Sequence, residues 1–171
     1  TKTIGVLLSD VRNPFYSTLY VGLETAAIGC GYNTVLCNAL NDPDIEYQHL
    51  EMLESKNVDV ILLLGGGADD MPPSVEYRQL VQRIIQKTPV IFASEPNSFD
   101  ACRLLMNDRP GTEALLAYLF GLGHKKFALV GGLPTISPTF VKRQMISEIL
   151  ERNHLPQEES WIIDTQQYEV D

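Results

Sequence analysis

The sequence predicts an α/β fold built on parallel sheet, and three observations predict it. Short apolar runs alternate along the chain with longer segments of helical periodicity. Runs such as Val60-Ile61-Leu62-Leu63-Leu64 and Phe127-Ala128-Leu129-Val130 are apolar at every position, as strands covered on both faces are. Helix starts are punctuated as well: Asp42 precedes Pro43, and Asp108-Arg109 precedes Pro110. Strands that alternate with helices imply right-handed crossovers and a parallel sheet.

The elements follow in order. A strand over residues 3–8 breaks at Asp10-Val11-Arg12-Asn13 into a helix over 14–30, which Pro14 opens and Gly29-Cys30-Gly31 ends. A strand over 34–37 leads to a helix over 43–56. The apolar strand 58–64 runs into Gly65-Gly66-Gly67, a permissive loop, before a helix over 74–86 and a strand over 89–93. The rhythm then falters at Ser94-Glu95-Pro96-Asn97-Ser98-Phe99-Asp100, which has no helical stripe. We read this segment as a crossing between two lobes, the first over residues 1–100 and the second over 101–171. The second would hold strands over 103–106, 127–130 and 161–164 and helices over 110–122 and 139–153. It has no closing helix, so this lobe is expected to be incomplete.

Composition narrows the function. The 171 residues carry 44% hydrophobic and 20% charged side chains, ordinary for a globular chain, and no apolar run reaches the ~20 residues of a membrane span. Net charge is −9, and residues 13–55 hold six acidic side chains with no Lys or Arg. A nucleic-acid surface needs clustered positive charge, so this chain by itself is not expected to bind DNA. No secretory leader precedes Thr1, which points to the cytoplasm. Cys30, Cys37 and Cys102 form no C-x-x-C pair and read as small buried hydrophobes in a reducing compartment.

The Asp10–Tyr16 turn mixes polar and aromatic groups at the carboxyl end of a predicted strand, where ligands bind in such sheets. Asp10 and Asn13 offer hydrogen bonds, while Phe15 and Tyr16 offer flat apolar faces. Asn13 also has the chemistry of a helix cap. Gly65-Gly66-Gly67 lacks the spacing of a nucleotide loop. The pairs Glu46/His49 and Glu151/His154 have E-x-x-H spacing, but di-iron sites need a four-helix bundle, so both read as solvated helix faces and no metal is expected. No G-x-S-x-G elbow occurs, and no histidine stands at a strand's carboxyl end, so no catalysis and no cofactor are expected. Lys142-Arg143, near a helix start, and Arg12 are the best cationic partners for a polar ligand, with surface charge the plain alternative for Lys142 and still more for Arg12.

Taken together, these residues resemble the effector-binding core of the lactose-repressor family of bacterial transcription regulators, which shares the periplasmic-binding-protein type I fold of Rossmann-like lobes. The resemblance rests on Thr3-Ile4-Gly5-Val6, Asp10, Asn13-Pro14-Phe15-Tyr16, Gly22-Leu23-Glu24 and Gly31-Tyr32. Asn57-Val58-Asp59-Val60-Ile61, Thr88-Pro89-Val90-Ile91-Phe92 and Gly121 through Gly132 continue it. It implies a non-enzymatic sensor whose two lobes close on a sugar or sugar-like effector to control DNA binding by a helix-turn-helix domain outside this chain. The family core runs on for roughly another hundred residues, so this chain is expected to bind effector poorly and to self-associate through uncovered strand edges. Homodimers are common in the family. A periplasmic solute-binding protein of a transport system is the alternative.

By the resemblance, Asp10, Asn13, Phe15 and Tyr16 carry over as ligand positions. The Asp-Arg pair usual after the fourth strand is Ser94-Glu95 here, and the ligand-facing Arg of the second lobe falls on Lys142. The usual Gly-Phe falls on Met145-Ile146, and Asn107-Asp108 replaces Asp-Asn. Phe15 and Tyr16 would stack on the ligand, Asp10, Asn13 and Ser94 would hydrogen-bond it, and Lys142 would reach it on closure.

Overall fold

A computed structural model describes residues 2–94, 99–156 and 161–165 and divides into two units, residues 1–105 and 106–171. The first unit runs β1 (Thr3–Leu8), α1 (Pro14–Gly29), β2 (Asn33–Asn38), α2 (Pro43–Ser55), β3 (Val60–Leu64), a 3-10 turn (Gly66–Ala68), α3 (Val75–Ile85), β4 (Val90–Phe92) and β5 (Cys102–Arg103). Its strands form one sheet in the order β2-β1-β3-β4-β5, with every pair parallel. The α/β expectation holds.

Local chemistry sets each helix. The Asn13 side chain accepts the Phe15 N–H at 3.0 Å and Pro14 opens α1. Asp42 caps α2 by accepting from the N–H groups of Asp44 and Ile45 at 2.8 and 3.3 Å. Ser74 does the same for α3 through the Tyr77 N–H at 3.1 Å. Each cap satisfies donors that the first helical turn would otherwise leave open.

Alternate strand residues face opposite layers. Leu7, Ile61, Leu63, Val90 and Phe92 pack with Leu50 and Leu53 of α2 and Leu80, Val81 and Ile84 of α3. Val6, Leu8 and Leu64 face the other way, onto Tyr16, Leu19, Tyr20 and Leu23 of α1. Leu53 and Ile61 are wholly buried, and each such side chain contributes about 1.5–3 kcal/mol of transfer free energy.

One strand departs from expectation. The strand predicted over 103–106 as the start of the second lobe lies at Cys102–Arg103, and it pairs with β4 in the first sheet. The polar segment before it therefore joins two neighbouring parallel strands. The ring of Phe99 anchors this connection, stacked on Phe92 at 5.1 Å and edge-on to Tyr77 at 6.4 Å. Glu95, read as part of the ligand-facing pair, lies outside the described residues.

The second unit holds α4 (Arg109–Gly121), β6 (Leu129–Val130), α5 (Ser137–Arg152) and β7 (Ile162–Ile163). β6 and β7 pair in parallel, and Leu116, Met145 and Ile149 form a small core with Phe120, Phe127 and Ile146 against it. Met145 and Ile146 thus serve packing. Among the described residues no helix is long and apolar enough to cross a membrane.

Candidate functional site

Because all five strands of the first sheet run parallel, the loops after β1, β2, β3 and β4 emerge at one edge. Asp10, Asn13, Phe15, Tyr16 and Ser94 all belong to that edge.

Their side chains have different employments. Asp10 is wholly buried, and its carboxylate accepts from the Arg12 main-chain N–H at 2.9 Å and from Arg12 Nε at 3.0 and 2.9 Å, with a second guanidinium nitrogen closing the pair. The Arg12 side-chain hydrogen bond lowers the Asp10 pKa below its ordinary 3.8, and the Arg12 backbone N–H adds to it against the cost of burial. Arg12, read mainly as surface charge, is instead the clamp on this carboxylate, although its side chain is largely exposed. The Asn38 side chain stitches the neighbouring loop to this one by accepting from the Val11 N–H at 3.1 Å.

Phe15 stands 47% exposed beside the Asn13 cap, edge-on to Tyr16 at 5.2 Å. Tyr16 itself packs on the core residues Val6, Leu8 and Leu64. Its hydroxyl and that of Ser9 fill the space a Cβ on Gly65 would need, and Gly65 has φ +81°. Of the two aromatic rings, Phe15 is the more exposed.

The turn after β3 holds chemistry that the sequence reading missed. Glu46, taken for a solvated helix face, is 3% exposed. Its carboxylate reaches from the first turn of α2 under the glycine turn, where the Gly67 N–H donates to Oε2 at 3.0 Å and Oε1 at 3.2 Å. Burial raises the Glu46 pKa, the Gly67 N–H and the Tyr77 hydroxyl oppose the rise, and Asp70 and Asp69 add to it. Burial likewise drives the Tyr77 hydroxyl well above its ordinary value, with Glu46 adding to the rise. Asp69 is 7% exposed and faces Ser94; burial raises its pKa and the Ser94 hydroxyl partly offsets the rise. The signal for Glu46 was available in its position, which falls on the buried stripe of α2 with Leu50 and Leu53.

In the second unit, Lys142 extends from the first turns of α5 and pairs with Asp108 at the cap position of α4, at 3.2 Å. Arg143 is the more buried of the two; its guanidinium pairs with Asp164 and donates to the carbonyls of Gly131 and Gly132 at 3.5 Å. The cysteines correct another expectation. Cys37 is buried, with its thiol pushed up to about 11 by burial, whereas Cys30 and Cys102 are exposed.

Comparison with known proteins fits this arrangement. The family described as periplasmic binding proteins and sugar-binding domain of the LacI family matches residues 1–145. Catabolite control protein A of Staphylococcus aureus is 32% identical over 157 residues, covering 91% of this chain and 45% of that protein. The ribose operon repressor of Escherichia coli is 34% identical over 132 residues, covering 77% of this chain and 38% of the repressor. A LacI-family transcriptional regulator from Lactobacillus casei, solved with bound sucrose, superimposes with a TM-score of 0.70 at 25% identity, covering 95% of this chain and 57% of that one. The chain spans less than half the length of the curated relatives it matches.

Proposed function

Since the chain belongs to the family of periplasmic binding proteins and LacI sugar-binding domains, we propose that it is the effector-sensing part of a bacterial transcription regulator. It takes a sugar-like ligand at the carboxyl edge of the first sheet. The observation that carries this reading is the exposed Phe15 ring beside Asn13 at that edge, inside the matched region. An aromatic face next to hydrogen-bonding groups suits a molecule with an apolar ring face and a hydroxyl rim. Asn13, Phe15 and Ser94 are the contacts we assign first. Asp10 acts through Arg12, whose position it fixes, and Tyr16 supports Phe15.

The curated relatives are regulators, which supports this role over solute transport and over an enzyme. DNA contact would come through a helix-turn-helix domain outside these 171 residues, in a cytoplasmic homodimer. The switching free energy is the ligand's differential affinity for two conformations. Calorimetric titration of the full-length protein with D-ribose, glucose and sucrose tests the reading. Saturable binding that Phe15→Ala abolishes supports it, and heats of dilution alone from all three sugars sink it.

A further inference from the structure

The carboxyl edge of the first unit is unevenly charged. The loops over residues 9–13, 39–42, 65–74 and 93–94 contain Asp10, Asp42, Asp69 and Asp70, and Arg12 is their single Lys or Arg. That guanidinium is committed to Asp10. Glu46 adds a further buried carboxylate beneath the turn.

Within this edge two side-chain oxygens stand apart. Asp69 Oδ1 and Ser94 Oγ are both shielded from solvent and, beyond their approach to each other, have no hydrogen-bond partner among the described residues. They belong to the loops that follow β3 and β4, which are neighbours in the sheet. Asp69 is more than nine-tenths buried, so its bare oxygen lacks the compensation water would give. Donors that would satisfy both atoms are hydroxyl groups, since a hydroxyl can donate to the carboxylate and accept from or donate to the serine. A phosphate offers further acceptor oxygens and negative charge, which this edge repels.

Building on the function proposed above, we propose that Asp69 and Ser94 form the acceptor pair that selects a neutral, hydroxyl-bearing ligand over its phosphorylated counterpart. In this pair Ser94 orients the Asp69 carboxylate.

Paired titrations test this on the full-length protein, using D-ribose with ribose 5-phosphate and glucose with glucose 6-phosphate. The unmodified protein should bind each neutral sugar more tightly than its phosphate. Asp69→Asn should weaken the neutral sugar at least about tenfold and narrow the gap to the phosphate, because it removes charge as well as an acceptor. Ser94→Ala should weaken the neutral sugar without narrowing that gap, and it keeps the test decisive if thermal melting shows that Asp69→Asn does not fold. Unchanged sugar affinity in both variants, or tighter binding of the phosphates by the unmodified protein, overturns the inference and leaves the sensor reading standing. Absence of binding by any of the four probes overturns both.

Discussion

Helix α2 carries two glutamates with opposite surroundings, one at each edge of the first sheet. Glu46, in the first turn, is buried, accepts a single main-chain N–H across both oxygens and has only acids for charged neighbours in its pKa balance. Glu54, near the last turn, pairs with Arg83 at 2.9 Å and Lys87 at 3.0 Å. Those two cations lower its pKa, Lys87 first. The helix dipole favours the first position and opposes the second, so the amino edge of the sheet uses cations where the carboxyl edge uses a helix terminus and a backbone donor. At the amino edge the Glu54 carboxylate is paired with cations, whereas at the carboxyl edge Glu46 and Asp69 are buried without one.

The most severe way to break this contrast is at Gly66, which has φ +76° and whose Cβ would lie 2.5 and 2.7 Å from the Glu46 carboxylate oxygens. Gly66→Ala should cost about 2–4 kcal/mol, combining backbone strain with that collision, as read from urea denaturation. Glu46→Ala comes next. It strips the Gly67 N–H of its acceptor and should cost about 1–3 kcal/mol, while Glu46→Gln, which keeps an acceptor oxygen, should lose less.

The pH dependence of stability sharpens the same comparison. Glu46 binds its proton more tightly in the folded chain, so its contribution is complete below the ordinary 4.5 and is lost as pH rises above it. Glu54 has the opposite sign: its contribution is present above 4.5 and disappears on acidification. Urea midpoints measured across pH should therefore flatten on the alkaline side in Glu46→Gln and on the acid side in Glu54→Gln. Identical profiles for the two variants would remove the distinction. The smallest effect belongs to Glu54→Gln at neutral pH, because exposed ion pairs contribute little. Its modest loss should vanish in about 1 M salt, where screening reaches ~3 Å, whereas the Glu46→Ala loss should persist.

Much of the first unit was legible from periodicity and punctuation. Asn13-Pro14 and Asp42-Pro43 mark helix starts whose caps are as expected, and the fully apolar run 60–64 is the central strand. The misplaced strand at Cys102–Arg103 has a clear cause: parallel neighbours are usually joined by a helix, so a helix-free segment reads as a change of lobe. Phe99 packs into the core beside β4. At the site, residue types could show that Asp10 and Arg12 were polar and close in sequence, but not that they would satisfy each other. For Glu46 the place on the buried stripe of α2 was legible, but what its carboxylate would bind was not. A carboxylate is normally an exposed residue, and its partner is a backbone N–H, which leaves no signature in the sequence.

The stacked rings of Phe92 and Phe99 carry a consequence for motion. β5 is two residues long and joins the sheet through β4 alone, with the Leu104 N–H to Phe92 carbonyl bond at 2.7 Å continuing the ladder. Its attachment therefore leans on the packing of the Phe99 ring, which lies outside the strand, against Phe92 and Tyr77. Loosening that contact should let the edge open as its own cooperative unit, with the Leu104 amide exchanging hydrogen long before those of β1 and β3. The last strand of the first unit is thus held in place by Phe99 rather than by its own length.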